Sequence, residues 1–373
     1  MLETENRDIK ELNSITQIVN CIKTGVYGES PLKLIQFFES LPDNSRYNYI
    51  RTITVPYLFN VFEENLLSSK DPLDWFSQEI DQLNEFCNRL VSGNTWEKFF
   101  LKSQDNITAD PSEEVKLRTG KHYGNLFKDF DHYSYFEEAK SLLETRLNKN
   151  DLKIPDLGNC RVLDQGCGGG RYTVAWKFLG AKECTGIDIS EISLEDARAR
   201  VEIAGIPDVN YDEGSVLKLP YKDNSFDIVF SNGVLHHTDN WQKGVEEQLR
   251  VLKPGGFGWL YLIEQPGGLF WDKIEILRAL MKNVDKDFAR RVLKSMNIPT
   301  NRIFYMLDHV MVPINTRIEP ERIEEELKKN GAKSIKRLKR GADFDRIEYI
   351  HNKIPYAKEK FGLGENRYTF IKA

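Results

Sequence analysis

The chain has 373 residues, of which 40% are hydrophobic and 11% aromatic, and this length and composition are typical of a folded protein with two domains. Its formal net charge of −5 argues against the basic surface that captures nucleic acid, so we expect no nucleic-acid partner. The charged start and the absence of an apolar run of about 18 residues predict a cytoplasmic protein without a membrane contact. Five scattered cysteines without CxxC spacing predict no metal site.

The first part of the chain has only helical patterns. Apolar residues recur at helical spacing in three segments, 31–41, 55–67 and 75–91. The later stretch 103–114 is polar and contains Asn, Asp, Ser and Pro, a composition typical of a linker. We therefore predict an all-helical accessory domain at residues 1–110, followed by a second domain at residues 115–373.

From residue 160 onward, short apolar runs alternate with helical segments, a pattern typical of βαβ units. The predicted strands are 160–165, 183–189, 208–214, 225–231 and 256–263. Two more strands, 332–341 and 364–373, are predicted to form an antiparallel hairpin at one edge. The fold class is therefore α/β, with a doubly wound, Rossmann-like sheet of seven strands and a helical insertion at about 264–315.

The stretch VLDQGCGGG, residues 162–170, is rich in glycine and follows the first predicted strand. A dinucleotide-binding loop requires the spacing GxGxxG, and a template that starts at Gly166 puts Arg171 at the third glycine. A phosphate-binding P-loop requires Lys-Ser or Lys-Thr after the glycines, and neither follows here. Both phosphate-binding interpretations are therefore disfavoured.

The spacing that does fit is DxGxGxG, and an acidic residue follows at the end of the next predicted strand. These five residues are Asp164, Gly166, Gly168, Gly170 and Asp188. With EGSVLKLPYKDNSFDIVFSNGVLHH and LRVLKPGG further on, the chain resembles the class I S-adenosylmethionine-dependent methyltransferases of the small-molecule, type 11-like branch. The resemblance covers residues 115–373 and is strongest over 160–263. It implies S-adenosyl-L-methionine as the cofactor.

The resemblance implies roles for the two acidic residues. Asp164 would face the ammonium group of the cofactor, and Asp188 would accept hydrogen bonds from both ribose hydroxyls, because a carboxylate has two oxygens for two donors. Each residue also has an alternative structural role. Asp164 would cap the following turn, and Asp188 would cap a helix that starts near Ser190, although Ser190 is able to cap that helix itself.

Adenine recognition departs from the pattern of the family. Ser215 occupies the slot after the third strand where many relatives have an aspartate. We expect backbone groups of Ser215 and Val216 to contact the adenine and Leu217 to pack on its ring; an ordinary turn is the alternative. Ser231 and Asn232 are expected to line the methionine side.

Two further segments are candidates for catalysis and for closing the site. His237 follows the fourth strand, and histidine is a residue type that is able to accept a proton near neutral pH, so we predict it to be the general base; local backbone bonding by His236 and His237 is the alternative. Tyr123 lies in the aromatic stretch 122–136, which is predicted to close over the cofactor.

The insertion supplies acceptor-pocket candidates, namely Glu264, Phe270, Trp271, Tyr305, Met306 and His309.

The predicted function is S-adenosylmethionine-dependent methyl transfer to an oxygen or nitrogen of a small metabolite or natural-product intermediate. Two alternatives remain open, a peptide or protein methyltransferase and a module that binds the cofactor without turnover. The N-terminal domain would act as a lid, form a homodimer or hold a partner. The basic run 336–340 alternates with apolar residues as an exposed edge strand does, so it does not indicate nucleic-acid binding.

Overall fold

The computed structural model describes residues 27–93 and 131–373. In these ranges the α-helices are α1 Ser30–Glu39, α2 Ser45–Glu64, α3 Pro72–Ser92, α4 Glu138–Lys149, α5 Arg171–Phe178, α6 Glu191–Ile203, α7 Trp241–Val251, α8 Gly268–Leu280, α9 Lys286–Ser295, α10 Thr300–Met311, α11 Pro320–Lys329, α12 Arg346–His351 and α13 Ala357–Phe361. The strands are β1 Arg161–Gln165, β2 Glu183–Asp188, β3 Val209–Glu213, β4 Phe226–Asn232, β5 Leu252–Leu262, β6 Ala332–Arg337 and β7 Asn366–Lys372. Tyr123 and the predicted linker 103–114 lie outside the described residues.

The described residues form two compact units. One, the helical unit, comprises the described residues before 112 together with 267–312 and 353–362. The other, the sheet unit, comprises the described residues from 131 to 266 together with 313–352 and 363–373. The insertion that the sequence assigns to the second domain thus packs largely in the unit of the N-terminal helices.

The helical unit is built around α8. Ten of the 13 residues of this helix are buried, including the charged residue Lys273. The Lys273 ammonium lies 3.8 Å from the ring centroid of Phe59 and 4.6 Å from that of Phe62, so aromatic faces stabilise the buried charge. Arg51 on α2 joins neighbouring segments, because its guanidinium donates to the Phe38 carbonyl at 2.8 Å. Residues from both parts of the chain therefore share this core.

The sheet unit confirms the predicted fold class. Its seven strands have the order β3-β2-β1-β4-β5-β7-β6. The first five pair in parallel, whereas β7 is antiparallel to both β5 and β6. Helices cover both faces: α4 and α5 contribute to the apolar cluster on one face, and α7 and α11 to the cluster on the other. The carboxyl ends of β1, β2 and β4 lie side by side, which is where ligands bind in open α/β sheets.

Candidate active site

The glycine loop between β1 and α5 requires glycine for its conformation. Gly166 and Gly170 have φ angles of +81° and +80°, in the left-handed region that other residues rarely adopt. A Cβ at Gly166 would collide with the side chain of Val234, and a Cβ at Gly170 would collide with the Tyr211 hydroxyl. Gly168 also has a positive φ of +52°. The loop backbone is therefore tightly enclosed by its neighbours.

Two tyrosines hold this loop from the protein side. The hydroxyl of buried Tyr135 donates to the Gly169 carbonyl at 2.6 Å, and the Tyr211 hydroxyl donates to the Gly170 carbonyl at 3.3 Å. The Arg200 guanidinium lies 4.6 Å from the centroid of the Tyr135 ring. Neither tyrosine was predicted from the sequence. The aromatic stretch that ends at residue 136 was a signal for Tyr135, but it was interpreted through Tyr123 alone.

Asp188 ties the glycine loop to the start of α6. Its Oδ2 accepts from the Gly168 N–H at 2.9 Å, and its Oδ1 accepts from the Ser190 N–H at 3.0 Å. The Ser190 side chain makes no capping bond to α6; its Oγ accepts a hydrogen bond from the Ser193 hydroxyl at 3.0 Å. Burial raises the pKa of Asp188 above its ordinary value. The carboxylate thus orders the loop, and since its two oxygens together offer about four acceptor positions, it keeps capacity for a ligand.

Asp164 is the second acidic residue at the site, and it is 3% exposed. The Thr173 hydroxyl donates to its Oδ2 at 2.7 Å. Burial, together with the nearby negative charge of Asp188, raises the pKa of Asp164 to about 7. In residues 27–93 and 131–373, neither Asp164 nor Asp188 forms an ion pair with a basic side chain. Two such carboxyl groups suit a ligand that brings a positive charge.

The segment after β3 forms a local turn. The Leu217 N–H donates to the Ser215 hydroxyl at 3.2 Å, and the Lys218 N–H donates to the Ser215 carbonyl at 3.1 Å. Val216 is buried and its carbonyl accepts from the Gln165 side-chain amide at 3.0 Å. Gln165, at the end of β1, thereby connects this turn to the glycine loop. The geometry matches the ordinary turn that was the alternative to adenine contact.

At the end of β4, Ser231 and Asn232 point to opposite sides of the sheet. Ser231 is fully buried, and its Oγ has no hydrogen-bond partner within the described part of the chain. The Oδ1 of half-buried Asn232 accepts from the Trp259 indole N–H at 3.2 Å. Only Asn232 therefore lies on the face that also holds Asp164, because Asp164 and Asn232 each come two positions after a residue of the same apolar cluster, Val162 and Phe230.

The two histidines lie in the turn Leu235–His237, and their Nδ1 atoms have opposite hydrogen-bonding roles. A ring nitrogen facing a carbonyl has to donate, so the 2.7 Å contact from His237 Nδ1 to the Ile314 carbonyl puts the proton of neutral His237 on Nδ1. Its Nε2 then has the basic lone pair. His236 is buried, and its Nδ1 accepts from the Ile263 N–H at 3.3 Å. The rings lie 4.1 Å apart.

The six acceptor-pocket candidates are divided between the two units. Phe270, Trp271, Tyr305, Met306 and His309 belong to the helical unit, where the His309 ring lies 4.7 Å from Tyr305 and 5.5 Å from Trp271. Glu264 belongs to the sheet unit, where it is fully buried and paired with Arg346. Within the described residues, no group of three or more His, Cys, Asp or Glu side chains is arranged to hold a metal ion. No described helix is both long and apolar enough to cross a membrane.

The strand order, the glycine loop and the acidic ends of β1 and β2 define the fold of a class I methyltransferase. Residues 163–260 match the protein family described as "Methyltransferase domain". The chain therefore contains a class I methyltransferase domain, of the family that uses S-adenosylmethionine as its cofactor.

Two curated relatives are similar over part of the chain. The "27-O-demethylrifamycin SV methyltransferase" of Amycolatopsis mediterranei is 35% identical over 162 residues, 41% of this chain and 59% of that protein. The "Demethylmenaquinone methyltransferase" of Listeria welshimeri is 33% identical over 137 residues, 35% of this chain and 56% of that protein. The chain thus spans less than two thirds of the length of each relative.

Among solved structures, the chain is similar to a crystal structure from Thermotoga maritima described as a "SAM-dependent methyltransferase, possible histamine N-methyltransferase". The TM-score is 0.40 at 16% identity, over 67% of this chain and 100% of that one. A likeness at this level does not transfer a substrate.

Proposed function

We propose that this protein transfers the methyl group of S-adenosylmethionine to an oxygen or nitrogen atom of a small molecule. The observation that supports this most is the pair of acidic residues at the glycine loop, Asp164 and Asp188, which have no basic partner among the described residues. When bound, S-adenosylmethionine supplies an electrophilic methyl group on a positively charged sulfur. The donor set of the loop fits this cofactor, since the acidic side chains match its ammonium and sulfonium charges.

The same charges disfavour a dinucleotide cofactor. A pyrophosphate carries negative charge, and it would meet the carboxylates of Asp164 and Asp188 instead of basic side chains. The Gly168 N–H already donates to Asp188, so that donor does not serve a phosphate. A NAD-linked oxidoreductase is therefore the weaker proposal.

Each cofactor-binding residue has a proposed role. Asp188 accepts the ribose hydroxyls, and Asp164 faces the ammonium group. The turn at Ser215, Val216 and Leu217 contacts the adenine mainly through backbone and apolar groups, because the Ser215 hydroxyl already accepts from Leu217. Asn232 and Ser231 are assigned to the methionine side, with Asn232 supported better because it is less buried. Tyr123 remains the proposed lid residue.

His237 is proposed as the general base. A hydroxyl or ammonium acceptor has to lose a proton before its lone pair attacks, and His237 Nε2 takes this proton while Nδ1–H stays bound to the Ile314 carbonyl. The resulting imidazolium donates from both nitrogens, so the bond to Ile314 persists through the step.

A small-molecule acceptor is favoured over a peptide. The names of two relatives, a rifamycin and a menaquinone methyltransferase, refer to small molecules. A protein acceptor and a cofactor-binding module without turnover remain the alternatives. A cytoplasmic location and a homodimer are further proposals, the first supported by the charged composition.

Titration calorimetry tests the cofactor. We expect S-adenosylmethionine and S-adenosylhomocysteine to bind at micromolar concentration, and NAD and ATP not to bind. Asp188→Ala should weaken S-adenosylhomocysteine binding by about 1.5 to 3 kcal/mol, because it removes the acceptor of two hydroxyl donors. Asp239→Ala, an exposed carboxyl before α7, is the matched control and should leave the affinity unchanged. Binding of NAD without binding of S-adenosylhomocysteine would contradict the proposal.

A further inference from the structure

Tyr261 lies near the carboxyl end of β5, and the sequence analysis did not single it out. It is directly opposite Asn232 in the parallel pairing of β4 with β5. Its ring packs against the backbone of Gly233, since a Cβ added to that glycine would lie 3.5 Å from two ring carbons. The ring centroid lies 5.8 Å from that of His236. Tyr261 therefore borders the turn that holds the candidate base.

Charged side chains fix the position of the Tyr261 hydroxyl. Arg346 donates to the phenolic oxygen at 3.2 Å. The Arg346 guanidinium is itself held by Glu264, whose two carboxylate oxygens accept at 2.8 and 3.2 Å. Arg367 lies 4.6 Å from the centroid of the Tyr261 ring, and Glu365 lies 3.8 Å from Arg346. The acidic and basic charges alternate in this cluster, so the phenol is held by ion-paired groups.

The hydroxyl group of Tyr261 carries a hydrogen that no other group of this cluster accepts. Burial raises the pKa of Tyr261 to about 12, so the phenol keeps its proton at neutral pH. Its oxygen accepts from Arg346, but the structure of residues 27–93 and 131–373 contains no acceptor for its hydrogen. The side chain is half-buried rather than sealed in the core. A neutral donor is thus presented at the carboxyl ends of β4 and β5.

We propose that Tyr261 is a specificity-determining residue that donates a hydrogen bond to an acidic hydroxyl oxygen, that of a phenol or an enol, on the methyl acceptor. This inference rests on the proposed function and narrows its acceptor class. When His237 Nε2 takes the proton of such a hydroxyl, the oxygen becomes negative, and a negative oxygen is the strongest partner for a neutral donor. The guanidinium of Arg346 behind the phenol polarises its O–H and strengthens the bond. A protonated amine offers no lone pair to this donor.

The test uses two probes that differ only at the oxygen, 4-nitrophenol and 4-nitroanisole. Each is titrated into the full-length protein saturated with S-adenosylhomocysteine, at a pH at which 4-nitrophenol is ionised. The wild-type complex should bind 4-nitrophenol at least tenfold more tightly than 4-nitroanisole. Tyr261→Phe should reduce this preference by about tenfold, since it removes the O–H donor and leaves the ring in place. Tyr221→Phe is the matched control, because the Tyr221 hydroxyl already donates to Asp212 at 2.7 Å.

The outcomes separate this inference from the proposed function. S-adenosylhomocysteine affinity should be the same in Tyr261→Phe and the wild type, and the melting temperature should fall only slightly, because the hydrogen bond from Arg346 is lost. Arg346→Lys provides a second variant, which keeps the phenol, weakens its polarisation and should lower the preference by a smaller factor. The inference is overturned if the wild-type complex does not prefer 4-nitrophenol to 4-nitroanisole. It is also overturned if this preference is unchanged in both Tyr261→Phe and Arg346→Lys. A wild-type protein that does not bind S-adenosylhomocysteine contradicts the proposed function instead.

Discussion

The pKa of Asp164 is raised because of the position of this residue near the end of β1. The strand lies in the interior of the sheet, so the Asp164 carboxyl group loses its hydration, and hydrogen bonds from Thr173 replace only part of it. The neighbouring charge of Asp188 adds repulsion. The pKa of about 7 is higher in the folded state than in the unfolded state. The folded protein therefore binds this proton more tightly, and the group costs stability as the pH rises from about 4 to 7.

Removing this charge should stabilise the protein without ligand at higher pH. Asp164→Asn keeps an oxygen for the Thr173 hydroxyl and eliminates the ionisation. We expect the free energy of unfolding of the variant to exceed that of the wild type by up to about 4 kcal/mol at pH 8, and the difference to vanish near pH 4. Denaturant unfolding at the two pH values measures this. Asp239→Asn should show no such dependence, and equal stabilities of Asp164→Asn and wild type at pH 8 would contradict the explanation.

The tautomer of His237 determines which replacement tests its role. Asn places an amide N–H where Nδ1 lies, so His237→Asn should keep the bond to the Ile314 carbonyl while removing the basic Nε2. We expect turnover to fall about 100-fold or more, with S-adenosylhomocysteine affinity nearly unchanged. Release of S-adenosylhomocysteine with an acceptor that supports turnover measures the rate. Full activity of His237→Asn would show that alignment alone suffices.

Local spacing is enough to predict some residues of the site and not others. Asp164, Asp188 and the glycines were predictable because they follow two consecutive strands in a fixed pattern. Tyr135 and Tyr261 were not, since the hydroxyl contact of each is with a distant segment of the chain. A tyrosine in an apolar run looks like a core residue until its hydroxyl partner is known.

At the scale of elements, strand positions were predicted closely and helix faces less well. The edge hairpin of β6 and β7 followed from short alternating runs at the end of the chain. β5 starts at Leu252, not at Gly256, because its pairing with β4 begins at Leu252 and continues from Phe257 after a register shift. Helical spacing puts Phe178 on the same face of α5 as buried Val174, but Phe178 is 38% exposed. Trp176 is buried there instead, packed on Phe230.

The turn before α4 supports the glycine loop, and a single hydroxyl tests this. Tyr135→Phe removes the hydrogen bond to the Gly169 carbonyl and leaves the ring in place. We expect a loss of about 1 kcal/mol in unfolding free energy and weaker S-adenosylhomocysteine binding, by roughly three- to tenfold. Calorimetry and thermal unfolding measure the two effects. Tyr133→Phe is the matched control, because Tyr133 is 66% exposed in the same turn. Equal affinities in the two variants would exclude this role of Tyr135.

At the scale of the whole molecule, the packing of α8 shows why a boundary between domains is difficult to predict from the sequence. A helix that is buried on nearly every side requires neighbours all round. Apolar spacing shows that such neighbours are needed, but it does not identify them. In the helical unit they include α2, which lies about 200 residues earlier in the chain. The segment 267–312 therefore shares a core with the N-terminal helices, although the sequence suggested a separable N-terminal domain.

Deletion of residues 1–112 distinguishes a separable domain from a shared core. A separable domain predicts a soluble remainder that binds S-adenosylhomocysteine. The packing of α8 predicts that the remainder exposes apolar side chains such as Phe270, aggregates and binds a hydrophobic dye. Phe59→Ala in the full chain tests the same core, and it should cost about 3 to 5 kcal/mol because Phe59 is 1% exposed against Lys273. Phe86→Ala, at a half-exposed position on α3, should change stability by less than about 0.5 kcal/mol. A monomeric truncated protein with wild-type cofactor affinity, together with a harmless Phe59→Ala, would show that the N-terminal helices contribute nothing to the core around α8.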